Sequence, residues 1–400
     1  MQTVHMTDDA PASRPHAPLG YLLDVVERLK RTEPEVWAWA SSLEAQAEHS
    51  KAVQASLLRE TYRLTPVAHA SVYDACAVVL ERLGLSAPVT LYQAGSGDMN
   101  AALVHLPGEA HLVFYGPVLE RLGEAELAAL LGHELAHYKL WSESGGEVLV
   151  ASRILEHTLA DPGAAPSHVQ TARLFRLYVE LYADRGAAIA VEAAEPAITT
   201  LVKVQTGLQS VDPAAYLAQA VELEGADPAV SQGQSHPETY LRARAVDKWW
   251  RGDADFEPWL RRQLHGPLSM ASLDLADQEA LQALTRGFIA RFLGDEAMRS
   301  EAVLAQVRGY FPDWREVEPP LAPDALAPER IDDSVRDYLG FVLLDLALAD
   351  PDLRDHALAR AAAAAAAFGA GDSFLAALKR DAGAPKREVD ALARKLKAAA

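Results

Sequence analysis

The chain has 400 residues, of which half are hydrophobic and 23% are charged, as in ordinary folded proteins with room for two or three domains. Its formal net charge of −19 argues against a surface that binds nucleic-acid phosphates. The first 17 residues lack the apolar stretch of a signal peptide, and no apolar run approaches the length of a transmembrane helix. We therefore expect no stable membrane insertion and a cytoplasmic location.

The N-terminal part of the chain is predicted to be helical after a disordered tail at residues 1–17. Apolar residues recur at helical spacing through residues 18–60, which predicts two helices separated near residues 32–34. A helix at residues 71–83 follows and contains the single cysteine, Cys76, for which we expect core packing.

Three short strands are predicted next, at residues 89–92, 102–106 and 111–115. Pro107 and Gly108 join the last two strands as a turn. An exposed edge strand of such a sheet can hold an extended polypeptide by backbone hydrogen bonds, largely independent of its side chains.

The most informative motif is H-E-x-x-H, formed by His133, Glu134 and His137 inside an apolar run that predicts a helix over residues 124–140. Positions i and i+4 share a helix face, so both histidines can bind one zinc ion. Glu134 then lies beside the ion, where a general base for a zinc-bound water is needed. The alternative is an exposed helix whose histidines contact only water.

A third ligand is available from a second predicted helix, at residues 169–191. Glu180 of this helix would complete a site with two histidines and one carboxylate, which leaves a coordination position open for water. Asp184 lies one turn later and can accept a hydrogen bond from a ligating imidazole, which would fix its orientation. The alternative for both carboxylates is a pair of surface acids.

H-E-L-A-H at residues 133–137, followed by E-L-Y-A-D-R at 180–185, resembles the M48 metallopeptidases, which include the HtpX-type heat-shock proteases and the CAAX-prenyl endoproteases. Ser235-His236-Pro237 with Arg242, and Asn100-Ala101 ahead of a strand, match further elements of that family. The resemblance covers about residues 60 to 250. It implies a mostly helical α+β fold, with a zincin core of the gluzincin type and a small sheet beside the H-E-x-x-H helix.

The resemblance also implies roles for the remaining candidate residues. His236 would stabilise the oxyanion of the tetrahedral intermediate, and Arg242 would brace the site through a carboxylate. Asn100 would fix the substrate backbone, although a turn-capping asparagine explains it equally well. The HtpX-type and CAAX-prenyl relatives are membrane-embedded, and this chain departs from them, which puts membrane-associated substrates in doubt.

The C-terminal part of the chain lies beyond the resemblance and is predicted to be helical. An alanine tract at residues 361–367 has high helix propensity and little packing bulk. We expect a scaffold, substrate-gathering or self-association role for this part of the chain. The predicted regions are a tail (1–17), an N-terminal helical region (18–60), the metallopeptidase domain (61–250), a helical extension (251–316), a proline-rich linker (317–330) and an alanine-rich helical segment (331–400).

The sequence therefore predicts a zinc-dependent endopeptidase that acts on polypeptide substrates. A non-catalytic zinc-binding adaptor or stress-response protein, acting through its helical flanks, is the alternative. A latent protease whose flanking helices cover the cleft lies between the two. The C-terminal helices are also a candidate surface for self-association or for a protein partner.

Overall fold

The structure, a computed structural model, describes residues 16–42, 47–95, 97–226, 230–315, 321–322 and 324–399. Residues 1–15 of the predicted tail and residues 317–320 and 323 of the predicted linker lie outside the described residues. His16 and Ala17, which were predicted to end the disordered tail, instead contact the helix that carries Glu180. The last two residues of that region are therefore packed.

The described chain divides into two compact units, which are treated separately below. One comprises the described residues of 16–164 together with Thr171–Leu264, and the other comprises Ala165–Gln170 and the described residues from His265 onward. The predicted domain boundaries between residues 17 and 331 stay predictions.

The first unit contains twelve helices among its described residues, one of which begins in the segment assigned to the second unit. They are α1 (Gly20–Thr32), α2 (Pro34–Ser42), α3 (Ala47–Glu60), α4 (Ala70–Leu83), α5 (Val118–Arg121), α6 (Glu124–Ser142), α7 (Glu147–Ala160), α8 (Pro166–Val191), α9 (Ala194–Thr206), α10 (Pro213–Ala226), α11 (Thr239–Arg251) and α12 (Phe256–Leu264).

A mixed four-stranded sheet completes the first unit, with the strand order β1-β2-β4-β3. The strands are β1 (Tyr62–Arg63), β2 (Val89–Gln93), β3 (Asn100–Leu106) and β4 (Glu109–Tyr115). β2 and β4 are parallel, whereas β1 with β2 and β3 with β4 are antiparallel. β3 is therefore an edge strand, and the predicted turn at Pro107–Gly108 places Gly108 at φ +77°, where glycine is favoured.

Three groups of buried side chains hold the helices and the sheet of the first unit together. α4, α6 and the sheet share one hydrophobic core, which contains Cys76 and Leu135. α1 packs with α7 and α8 in a second core through Leu22 and Phe175. A smaller alanine-rich core joins α6, α8, α9 and α11. The H-E-x-x-H helix α6 contributes to all three, which explains why most of its residues are buried.

The second unit is helical apart from one isolated bridge, Leu268 to Ile331, within the described residues. Its helices are α13 (Leu275–Phe292), α14 (Glu301–Tyr310), α15 (Asp333–Leu348), α16 (Arg354–Ala367), α17 (Gly371–Arg380) and α18 (Lys386–Ala399). They surround a separate core that includes Phe288, Leu343 and Phe374.

The prediction of a mostly helical α+β fold with a small sheet is confirmed. The two-residue strand β1 was not predicted, and β3 begins two residues earlier than expected. No helix within the described ranges is both long and apolar enough to cross a membrane. The gluzincin-type core and the cytoplasmic location stay predictions.

Candidate metal centre

The histidines of α6 face the same point in space. Their Nε2 atoms lie 3.2 Å apart, and the two rings are nearly perpendicular, with centroids 4.9 Å apart. Residues His133 and His137 are one helical turn apart, so the helix itself sets this geometry. His137 is buried, and the side chain of His133 is 13% exposed.

Helix α8 brings a carboxylate to the same point. Glu180 Oε2 lies 3.6 Å from His133 Nε2, and Glu180 Oε1 lies 3.6 Å from His137 Nε2. Glu180 is buried to a similar degree as the histidines, with 12% of its side chain exposed. The structure therefore brings together the three residues that the sequence predicts as metal ligands.

The close approach of α6 and α8 depends on a glycine in each helix. A Cβ on Gly132 would lie 2.3 Å from Ala190 Cβ and 2.9 Å from the Gly186 carbonyl oxygen. A Cβ on Gly186 would lie 2.3 Å from Ala136 Cβ and 3.0 Å from the Gly132 carbonyl oxygen. Only glycine therefore fits at both positions while the helix backbones remain this close.

The donor atoms of these three residues suit a cation. Atoms held about 2.0–2.1 Å from one tetrahedral zinc ion lie roughly 3.3 Å apart, close to the separations of 3.2 and 3.6 Å seen here. Glu180 Oε2 is buried and makes no hydrogen bond with the described residues. One carboxylate group and two imidazole Nε2 atoms thus converge at a spacing that suits coordination of a single cation.

The carboxylate of Asp184 and the guanidinium of Arg242 orient the ring of His133 through its Nδ1 atom. Asp184 Oδ1 lies 3.0 Å from His133 Nδ1. Arg242 of α11 donates two hydrogen bonds to the same carboxylate, at 2.8 Å from Nε to Oδ2 and 2.7 Å from Nη2 to Oδ1. With Nδ1 as a donor to Asp184, the Nε2 of His133 keeps its lone pair for a metal ion.

The charges around this network explain how its carboxylates ionise. Burial opposes ionisation of Asp184, but Arg242 and the hydrogen bond with His133 hold the pKa of Asp184 well below its usual range. Burial likewise opposes ionisation of Glu180, and His137, Arg242 and His133 overcome this effect and lower the pKa of Glu180. Both side chains are therefore anionic at neutral pH.

Glu134 lies beside the ligands but in a different environment. Burial raises the pKa of Glu134 to about 7, and the negative charge of Glu180 adds to that effect. A backbone hydrogen bond with Leu103 of β3 favours the carboxylate and limits the rise. A carboxyl group with a pKa near 7 can both accept and release a proton at neutral pH.

His236 reaches the site from the loop between α10 and α11. Its Nε2 lies 3.5 Å from Glu180 Oε2, and its Nδ1 lies 2.9 Å from the Ser235 hydroxyl oxygen. The side chain is 56% exposed, so it borders the site on the solvent side. Residues 231–234 of that loop have no regular secondary structure.

A cleft of about 770 Å³ opens over these groups. Residues of β3, beginning with the exposed Asn100, line one side, and residues of α9 such as Thr200 and Val204 line another. Asn100 therefore lies in the same cleft as the predicted ligands. The edge strand and the candidate metal centre face a common space.

Several contacts of the site were not predicted from the sequence. The ring of Trp141, one turn after His137, packs against His137 with centroids 5.4 Å apart. The i+4 spacing was a usable signal for that contact. Arg173 of α8 donates hydrogen bonds to the carbonyl oxygens of Gly233 and Ser231, and no side-chain motif signals such a contact with backbone.

Comparison with known proteins adds a family relationship to this geometry. A model of Peptidase family M48 matches residues 69–250, which include all the candidate site residues and exclude the helices of the second unit from α13 onward. "Plastoglobule-localized metallopeptidase 48, chloroplastic" from Arabidopsis thaliana is 29% identical over 201 residues, which make up 46% of this chain and 57% of that protein. The chain thus spans little more than half the length of that relative. No solved structure matches.

Proposed function

Because residues 69–250 are a domain of Peptidase family M48, we propose that the chain is a zinc-dependent endopeptidase. The convergence of His133, His137 and Glu180 beside a buried glutamate carries this proposal. The substrate would be a polypeptide, which the similarity to the Arabidopsis metallopeptidase also favours.

A zinc ion bound by these three residues would supply Lewis acidity, lowering the pKa of water and polarising the scissile carbonyl. The chain's own residues then have separate tasks. Asp184 and Arg242 keep His133 in the tautomer that presents Nε2. Glu134 is buried beside the ligands, where its carboxylate would take a proton from the attacking water and pass it to the leaving amine.

Two further groups would act on the substrate. His236, at the solvent side of the centre, can donate a hydrogen bond from Nε2 to the oxygen of the scissile carbonyl as negative charge develops there. The free edge of β3 can pair with an extended peptide, with Asn100 at the start of that edge. Pairing of this kind selects extended backbone rather than a particular side chain.

Replacement of Glu134 by Gln tests the proposed chemistry. The amide keeps the shape of the side chain but cannot accept a proton, so we expect kcat for an unstructured protein substrate to fall by about 10²–10⁴-fold, with the metal content unchanged. The exposed Glu222 of α10 offers a matched control, and Glu222→Gln should retain full activity. Peptidase activity that survives Glu134→Gln would exclude this general base.

The flanking regions bear on the predicted latency. α1 shares its core with α7 and α8, so removal of residues 18–60 would expose that core as well as any covered cleft. Removal of residues 265–400 takes away the second unit except for Ala165–Gln170 and is the cleaner test. A rise in activity after that truncation would support a latent protease, and unchanged activity would argue against latency imposed by the C-terminal helices.

A further inference from the structure

The second unit contains a cavity of about 920 Å³ that the proposed peptidase function does not use. It lies between α13, α15, α16 and the segment 324–328. Its volume falls in the range of small-molecule pockets, which are mostly apolar with a few placed polar groups. The cavity lies entirely within one compact unit.

The alanine tract of α16 explains why the space exists. Ala359, Ala363, Ala364 and Ala367 line the cavity at helical spacing, while Ala361, Ala362 and Ala365 are buried in the core of the unit. One face of the helix thus packs tightly, and the adjacent face leaves room because methyl side chains extend only a short distance from the backbone. High helix propensity keeps the helix intact without bulk on that face.

Aromatic and aliphatic side chains form the rest of the apolar wall. Phe288 and Phe368 contact each other edge to face, with ring centroids 5.3 Å apart. Phe292 and Leu343 add buried apolar surface from α13 and α15. A hydrocarbon chain in this space would remove apolar surface from water on several sides.

Arginines provide the polar part of the lining. Arg360 donates to the Phe292 carbonyl oxygen at 3.1 Å and lies 3.2 Å from Asp295. Arg336 donates to the Ile331 carbonyl oxygen at 3.1 Å and also pairs with Asp333. These contacts fix both guanidinium groups at the cavity while leaving further N–H donors on each.

The carboxylates at the cavity are already neutralised, whereas one cation is not. Asp295 is shared by Arg360 and His356, and Asp324 pairs with Arg330 at 2.6 Å. The exposed side chain of Arg291 has no ion pair or hydrogen bond to the part of the chain that the structure describes. The lining therefore carries an excess of positive charge in a chain whose net charge is −19.

We propose that this cavity binds a small amphipathic anion with one carboxylate head group and a hydrocarbon tail, that is, a long-chain fatty carboxylate. The alanine and phenylalanine surface takes the tail, and Arg291 takes the head group together with the fixed arginines. None of the candidate metal ligands lines this cavity.

Titration calorimetry of the full-length protein with sodium oleate, below its micellar concentration, tests the proposal. We expect one oleate per chain, and weaker binding of both oleyl alcohol, which lacks the charge, and acetate, which lacks the tail. Arg291→Gln should weaken oleate binding by about fivefold, as expected for one solvent-accessible ion pair. Arg308→Gln makes the same charge change on α14 away from the cavity, and we expect it to leave the affinity unchanged.

A second variant fills the cavity directly. Ala364→Phe places a ring in the space and should abolish oleate binding. If Ala364→Phe does not fold, Arg291→Gln still tests the proposal, because Arg291 is exposed and its replacement does not disturb the core. Absence of oleate binding by the wild type would overturn the proposal. Equal binding of oleyl alcohol, or equal weakening by Arg291→Gln and Arg308→Gln, would also overturn it.

Discussion

His236 differs from the candidate metal ligands because its side chain is 56% exposed and its position depends on the loop that carries it. Arg173 holds that loop from α8, donating from Nε to the Gly233 carbonyl oxygen at 2.8 Å. Glu238 closes the loop from the other end, accepting from the Ser231 hydroxyl at 2.7 Å and from the Gln232 amide at 2.8 Å. Arg173 therefore helps to fix the loop that carries His236.

Replacement of Arg173 by Met tests this role in the proposed peptidase. Loss of the loop contacts should lower kcat with little change in KM or metal content, by less than the roughly 10²–10³-fold expected for His236→Ala at an oxyanion site. Steady-state kinetics of the double variant gives the decisive comparison. If Arg173 acts through His236, the double variant is no slower than His236→Ala alone, whereas multiplied losses would contradict that coupling.

At the scale of residues, the sequence predicted which candidate side chains share a helix face, because helical spacing determines this. His133 and His137 on α6, and Glu180 and Asp184 on α8, are each separated by four residues, so a helix alone brings each pair to one face. The role of Arg173 could not be predicted in this way. Its acceptors are backbone carbonyl oxygens of a loop, and every residue carries one.

At the scale of elements, the separation of α6 and α8 decides whether ligands on the two helices can meet. Gly132 and Gly186 lie at the crossing, and each faces an alanine of the other helix, Ala190 and Ala136 respectively. Small residues at these four positions let the backbones approach until a glycine Cβ would lie only 2.3 Å from its neighbour. The site therefore depends on residues that bind nothing.

We expect Gly132→Ala and Gly186→Ala each to lower the free energy of unfolding by about 1–3 kcal/mol, because the added methyl group forces the helices apart. The same displacement should weaken metal binding. Gly225 of α10 has nothing within 4 Å of its Cβ position, and Gly225→Ala is the control, with a change of no more than about 1 kcal/mol. Urea unfolding of the three variants measures the effect, and equal stability in all of them would contradict a close-packed crossing.

Hydrophobic periodicity predicted the long helices but not how closely they pack. Glycine inside a helical pattern usually indicates weaker helix formation. Only the alanines of the facing helix show that Gly132 and Gly186 allow the two backbones to approach closely. β1 was missed for a related reason. The two residues Tyr62 and Arg63 are too few to show an alternating hydrophobic pattern. Only their pairing with β2 defines them as a strand.

At the scale of the whole molecule, residues far apart in sequence fix the start of the described chain onto α8, the helix that carries Glu180. His16 stacks on Tyr182 with ring centroids 4.0 Å apart, and its Nε2 lies 3.1 Å from the Tyr182 carbonyl oxygen. Burial lowers the pKa of His16 to about 3, although the contact with the Tyr182 carbonyl opposes this shift. His16 is therefore neutral in the folded protein at neutral pH.

This contact predicts a pH dependence of stability. Between the ordinary value of 6.5 and the folded value of about 3, the unfolded chain binds the extra proton, so stability falls as the pH falls through this window. From pH 7 to pH 5 the wild type should lose about 1–2 kcal/mol more than His16→Phe, which keeps an aromatic ring but does not titrate. Chemical unfolding of both proteins at the two pH values measures this, and equal losses would show that His16 does not contribute.

Composition alone predicted a disordered tail through residue 17, because its residues are polar and rich in proline. The contacts of His16 and Ala17 with α8 could not be foreseen, since their partners, Tyr182 and Arg185, lie more than 160 residues away. The helical C-terminal part was predicted correctly from its alanine content and spacing. Its cavity was not, because free space depends on what neighbouring helices leave unfilled.

The zinc content of the purified full-length protein tests the central claim most directly. We expect about one zinc per chain in the wild type and in Glu134→Gln, and a sharp loss in Glu180→Ala, because two histidines alone leave the ion short of a ligand. Glu156→Ala, which removes an exposed carboxylate from the same cleft, should keep its zinc. A wild type that stays without zinc after reconstitution, or a Glu180→Ala variant that holds as much as the wild type, would contradict the three-ligand centre and favour the non-catalytic adaptor.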